Sequence, residues 1–202
     1  MKKKIKVLQV IPRLGYGGAE TGCYDLAHFL PEQGCKSFLA TSGGDLLKFV
    51  NKKKVKVFKL PVHSKNPILI LLNSIIIFFI VINYNINIIH VRSRAPAWSC
   101  FFASKLTFRK LVTTFHGTYN FSNKIKKFYN SIMVRSDLVI AGSNFIFSHI
   151  NDNYAKFISE KKRKLLVIFR GINTNYYNPQ KILPIKIEKF AKDYNIDRNK
   201  FI

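Results

Sequence analysis

Short apolar runs recur along the chain at about 5–11 (IKVLQVI), 35–41 (CKSFLAT), 55–60 (VKVFKL), 86–91 (INIIHV), 110–115 (KLVTTF), 137–141 (DLVIA) and 164–169 (KLLVIF). Most are continuously apolar and do not alternate, the pattern of strands buried on both faces of a parallel sheet. Helix-length segments lie between them, at about 18–33, 44–51, 67–83, 95–106, 121–135 and 143–159. Regular alternation of strand and helix predicts an α/β, doubly wound parallel sheet of about seven strands. Local chemistry agrees: Ser143 is placed to cap the last of these helices, and Asn66-Pro67 opens the third with proline near the first helical position. Pro31 should end or kink the first helix near Leu30. No internal repeat and no Ser/Gly linker interrupts the pattern.

The third helical segment departs from amphipathic spacing. From Ile68 to Ile82 only Asn73 and Ser74 are polar. Fifteen residues span roughly 22 Å as a helix, short of the roughly 30 Å hydrocarbon core of a bilayer. Two readings stand: a helix buried in the domain, or one that turns an apolar face to a membrane surface.

Composition changes the picture in two ways. A 202-residue chain that is 48% hydrophobic can bury a real core. Its formal charge of +24, from 34 basic and 10 acidic residues, favours anionic partners: nucleic acid, anionic lipid or phosphorylated substrates. The abundance of Lys together with Ile and Asn also fits translation of an AT-rich gene. No nucleic-acid-binding module is recognisable, and aromatics such as Phe78 and Phe79 lie in apolar runs away from the lysines. Cys23, Cys35 and Cys100 form no C-x-x-C pair and suggest a reducing compartment. The basic start and first apolar run, broken by Lys6, Gln9 and Pro12, read as a first strand and not as a signal peptide.

Candidate chemistry gathers where strands end. After the first strand comes Gly15-Tyr16-Gly17-Gly18-Ala19-Glu20, whose backbone N–H groups can approach a phosphate at a helix N-terminus. The dinucleotide fingerprint needs glycine where Glu20 stands, and the second strand ends without an acidic residue for a ribose, so NAD is disfavoured. Glu20 is either part of this site or a complement to the helix dipole. Arg92 and Arg94 follow the fourth strand, where guanidinium forks suit a phosphate or carboxylate. The plain alternative is a solvated basic loop. His116, ending the fifth strand before Gly117, can hydrogen-bond a sugar hydroxyl or assist proton movement, or serve as a structural histidine. His28, His63, His90 and His149 read as ordinary. Arg170-Gly171 with Asn173 reads as a turn carrying a cation beside the crevice. No metal-ligand cluster is apparent.

Taken together, Gly17-Gly18-Ala19-Glu20, Thr114-Phe115-His116-Gly117 and Arg170-Gly171-Ile172-Asn173 resemble the N-terminal half of glycosyltransferase family 4 over roughly residues 5–180. The segments 90–98 (HVRSRAPAW) and 113–120 (TTFHGTYN) are most similar to bacterial members that assemble lipopolysaccharide or other envelope glycans. The resemblance implies a retaining transferase of the GT-B fold, with two Rossmann-like domains and the site between them. It implies that residues 1–178 form the acceptor-binding N-terminal domain, and that residues 179–202 are a linker and the start of a donor-binding domain. Gly15, Gly17 and Gly18 would line the donor diphosphate and His116 would be the catalytic histidine near the transferred sugar. Glu20, Arg92, Arg94 and Arg170 would bind the acceptor or its anionic groups. The co-substrate would be a UDP- or GDP-linked sugar, with no cofactor or metal and no nucleic acid partner. The acceptor would be a glycan or a lipid-linked glycan, and the location cytoplasmic, peripheral at the inner membrane face. The family's C-terminal Arg/Lys pair and Glu-x7-Glu motif have no counterpart here, so the chain alone should be inactive. The alternative is a stand-alone acceptor-binding subunit that pairs with a separate donor-binding chain.

Overall fold

A computed structural model describes residues 4–119, 122–159, 164–172, 174–175, 177–197 and 200. The chain divides into two compact units, Met1–Phe169 and Arg170–Ile202. The first unit holds one sheet of seven parallel strands: β1 (Lys6–Val10), β2 (Lys36–Thr41), β3 (Val55–Lys59), β4 (Ile88–Val91), β5 (Lys110–Phe115), β6 (Leu138–Ala141) and β7 (Lys164–Val167). Their order is β3-β2-β1-β4-β5-β6-β7. The direction of winding therefore reverses between β1 and β4, which is where such sheets open a crevice at their carboxyl ends.

Among the described residues this unit has the helices α1 (Gly18–Glu32), α2 (Pro67–Tyr84), α3 (Arg94–Thr107), α4 (Lys124–Asn130) and α5 (Asn144–Ser159). Asn66 Oδ1 accepts from the Ile68 and Leu69 N–H groups at the start of α2. Ser143 Oγ accepts from Ile146 N–H at the start of α5. Helix α1 runs one residue past Pro31 and ends in a turn with Gly34 at φ +74°. The expected helix at 44–51 is only a 3₁₀ turn, Asp45–Phe49, and the segment 121–135 holds α4 followed by a second 3₁₀ turn, Ser131–Val134. In the second unit, Pro184 starts α6 (Pro184–Asp193), and Phe190 and Tyr194 pack ring to ring at 4.6 Å.

Two apolar clusters flank the sheet. The larger joins Leu8, Val10, Ile89, Val91, Leu111 and Phe115 to α2, α3 and α5 through Ile77, Val81, Cys100, Ala103, Ile150 and Tyr154. The smaller packs Leu14, Leu39 and Val55 beside Cys23 and Ala27 of α1. Side chains alternate across a strand, so Gln9, His90 and Thr114 point away from the larger cluster, toward the α1 side.

Helix α2 is built inside out. Its buried side carries the polar pair of its middle: Asn73 Nδ2 donates to Pro61 C=O (3.1 Å) and Ser74 Oγ donates to Ile70 C=O (2.7 Å). Its exposed side runs Ile68, Leu71, Leu72, Ile75, Ile76, Phe79 and Ile82 without a polar interruption. The reading of a helix buried all round does not hold.

Candidate active site

The glycine loop follows β1 and is held by the loop after β2. Leu14 N–H donates to Gly43 C=O (2.7 Å), and Leu46 N–H donates back to Leu14 C=O (3.0 Å). Gly44 sits at φ +128°, and a Cβ there would run into the Leu14 backbone, so only glycine lets the two loops interlock. Gly17 is the N-cap of α1 with Gly18 as the first helical residue, and both are exposed. The Glu20 carboxylate folds back over Gly17, where a Cβ would collide with it. The negative group thus lies against the positive end of the helix. Gly15 is half-buried, with open space around its Cα.

The strand ends beside this loop carry a connected polar series. Gln9 of β1 donates from Nε2 to Cys23 C=O in α1 (3.1 Å) and accepts at Oε1 from Arg92 Nε (3.1 Å). Arg92, just past β4, is buried, and its terminal nitrogen lies 3.4 Å from His116 Nε2 at the end of β5. His116 itself is exposed. His90, two residues before Arg92 and on the same face, pairs its Nε2 with Thr114 Oγ1 (2.8 Å). Arg94 turns elsewhere: it donates to Asn130 Oδ1 (2.8 Å) and lies 4.4 Å over the Tyr119 ring. Tyr119 N–H in turn donates to His149 Nε2 (3.4 Å), which ties the loop after His116 to α5.

Three of the expected pieces are therefore neighbours: the glycine loop, Arg92 and His116 end strands β1, β4 and β5, adjacent in the sheet at the winding reversal. Arg170 is the first residue of the second unit. Asn173, the last residue of its motif, and Asn120 lie outside the described residues. Gln9 and His90 were not expected at the site. Their signal was a polar residue in the middle of an otherwise apolar strand, and the i, i+2 spacing that puts His90 and Arg92 on one face.

Burial sets the ionisation of this floor. His90 titrates well below 6.5, chiefly because burial disfavours the imidazolium, with Arg92 and then His116 adding to the effect. Burial pushes the Cys23 thiol up to about 12, against the pull of Arg92, and Tyr119 also to about 12. A histidine kept neutral in the fold but free to protonate when unfolded makes the unfolded chain bind more protons below 6.5. Stability should then fall as pH drops through that value, by up to about 1.4 kcal/mol per pH unit from this group. Urea unfolding at pH values on either side of it checks this: the loss should be smaller for His90→Gln than for the wild type. Among the described residues no group of three or more His, Cys, Asp or Glu could hold a metal ion.

Comparison with known proteins places this geometry. The model of glycosyltransferase family 4 matches residues 16–176. A glycosyltransferase from Rickettsia africae ESF-5 is 41% identical over 97% of the chain, with a TM-score of 0.81, and 51% of that protein is covered. Anabaena Alr3699/HepE, solved in complex with UDP and glucose, is 18% identical with a TM-score of 0.70, covering 94% of this chain and 50% of that one. A sucrose-phosphate synthase from Thermosynechococcus elongatus is 13% identical with a TM-score of 0.64, covering 85% and 49%. The last two likenesses are of fold. The chain spans about half the length of each of these proteins, and no curated protein matches it.

Proposed function

Because the chain belongs to glycosyltransferase family 4, we propose that it is the N-terminal, acceptor-binding half of an enzyme that moves a sugar from a nucleotide donor to a glycan or glycolipid, with retention at the anomeric carbon. The observation that carries this reading is the glycine loop, Arg92 and His116 side by side at the winding reversal of the sheet. As diphosphate leaves, negative charge grows on its oxygens, and oriented donors are the main means of stabilising it. The N–H groups of Gly17 and Gly18, at the start of α1, are such donors, and Glu20 must turn aside for a diphosphate to reach them. His116 faces the transferred sugar in this reading. The UDP and glucose held by HepE make a UDP-linked hexose the first donor to try.

The partner surface we propose is an anionic membrane at the cytoplasmic face, where a lipid-linked acceptor would be presented. The exposed apolar side of α2 and the +24 charge support it. By length and composition Pro67–Tyr84 could cross a bilayer, at roughly 27 Å. Its other side, however, supplies Ile77, Ile80 and Val81 to the core, so it lies on the surface as part of the domain.

A transfer assay tests the function. A chain extended beyond Ile202 by a donor-binding domain should transfer sugar from a UDP- or GDP-sugar to a lipid-linked glycan, and the 202-residue chain alone should not. Turnover by the 202-residue chain alone would overturn the assignment of donor chemistry to a second domain. Failure of the extended chain with every nucleotide sugar would overturn the transferase reading.

A further inference from the structure

We infer that Arg94 is a positioning residue: its guanidinium closes over the Tyr119 ring and so holds the turn that presents His116. Side chains at both ends close this turn. Phe115, the last residue of β5, is fully buried in the larger apolar cluster. Four residues on, the chain returns, and the Tyr119 ring packs on the Phe115 ring with centroids 4.9 Å apart. His116 and Thr118 are left exposed on the turn, with Gly117 half-buried between them. Arg94 lies over the same tyrosine, its guanidinium carbon 4.4 Å from the ring centroid.

The place of Arg94 is itself fixed. It opens α3, and its Nη1 donates to Oδ1 of Asn130 (2.8 Å), the buried last residue of α4. A planar guanidinium can do both at once, donating in its plane while its face lies on a ring. An ammonium has no such plane. Tyr119 has a second hold, its N–H, which donates to His149 Nε2 (3.4 Å) on α5. Burial pushes the Tyr119 phenol up to about 12 against the pull of Arg94, so it stays neutral and the contact is of a cation with a ring face. The two arginines therefore divide the work. Arg92 meets the His116 ring itself, whereas Arg94 acts through Tyr119 on the turn behind it. The clamp stands independently of the transferase reading; only its effect on sugar transfer rests on that reading.

Amide hydrogen exchange followed by NMR tests the clamp on the 202-residue chain without any substrate. Arg94→Met should speed exchange of the Tyr119 N–H about tenfold more than that of Leu8 in β1, the worth of one cation–π contact or one hydrogen bond to a charged group. Tyr119→Phe, which keeps the ring face, should exchange at residue 119 as the wild type does, and Tyr119→Leu should match Arg94→Met. The double variant should go no further than either single one, since both remove the same contact. Unchanged exchange at Tyr119 in a folded Arg94→Met protein overturns the inference, as does an acceleration no larger than that of Leu8. Should Arg94→Met fail to fold, the two tyrosine variants decide: equal exchange at residue 119 in both overturns the clamp, and faster exchange in Tyr119→Leu supports it. In the complete enzyme, Arg94→Met should lower kcat about tenfold or more with the acceptor KM little changed, and Tyr119→Phe should keep the wild-type rate. A raised acceptor KM with kcat unchanged would make Arg94 an acceptor contact and overturn its positioning role. A complete enzyme that transfers no sugar while the exchange results hold would sink the enzyme reading and leave the clamp standing.

Discussion

Sugar transfer by the complete enzyme should fall about 100-fold when His116 is replaced by alanine, the usual cost of removing one oriented donor from a reacting centre. The more telling comparison is between two amides. The amide nitrogen of asparagine occupies the position of Nδ1, one bond from the ring-equivalent carbon, whereas that of glutamine reaches the position of Nε2. Turnover kept by His116→Asn points to the Nδ1 position as the one that meets the substrate, and turnover kept by His116→Gln points to Nε2. Steady-state rates of the three variants, each checked for folding by its melting curve, decide the matter. Equal loss in all three would mean that neither amide recovers the function, and unchanged turnover in all three would return His116 to a structural role.

Vesicle flotation should show binding of the chain to anionic lipid and little to neutral lipid, with binding weakened by salt. Each Lys or Arg near such a surface contributes roughly 1 kcal/mol, so a handful, Lys65 beside the start of α2 among them, suffices without an anchor. The apolar share is set by α2. Ile76 is 40% exposed and Phe79 55%, so Ile76→Glu and Phe79→Glu should each weaken binding about tenfold with the fold intact. Ile77 makes the contrast: it is 0% exposed, so Ile77→Glu places a carboxylate in the core and should unfold the domain. Equal binding to neutral and anionic vesicles would sink the electrostatic part, and binding to neither would sink both parts.

All seven strands could be placed from sequence: the central ones are buried on both faces and mostly apolar, and the edge strands β3 and β7 are still short apolar runs set between helical segments. The same uniformity hid the orientation of α2. With Ile, Leu and Phe all round, periodicity does not say which side is buried, and Asn73 and Ser74, the natural markers of a wet face, are the residues turned inward. The expected helix at 44–51 shrank to a 3₁₀ turn because Gly43 and Gly44, both at positive φ, spend that segment bracing the glycine loop.

Strand-end position drew attention to His116 and the two arginines from sequence alone, and Arg94 turns to Asn130 instead. Their partners were not legible, since the bond from Arg92 to Gln9 joins residues 83 apart and that from Arg94 to Asn130 joins residues 36 apart. Charge suggested forks open to an anion; the fold gives both forks protein acceptors first.

The strand order has a consequence for how the chain comes together. When synthesis proceeds from the N-terminus, β1 can pair with β2 and β2 with β3 early, but the other edge of β1 waits for β4, which arrives only after the whole of α2. Through that interval a bare strand edge and the most apolar helix of the domain coexist without the pairing that later fixes them, the circumstance in which nascent chains stick to one another. Until β4 closes on β1, the stretch from β1 through α2 is one a chaperone has reason to cover.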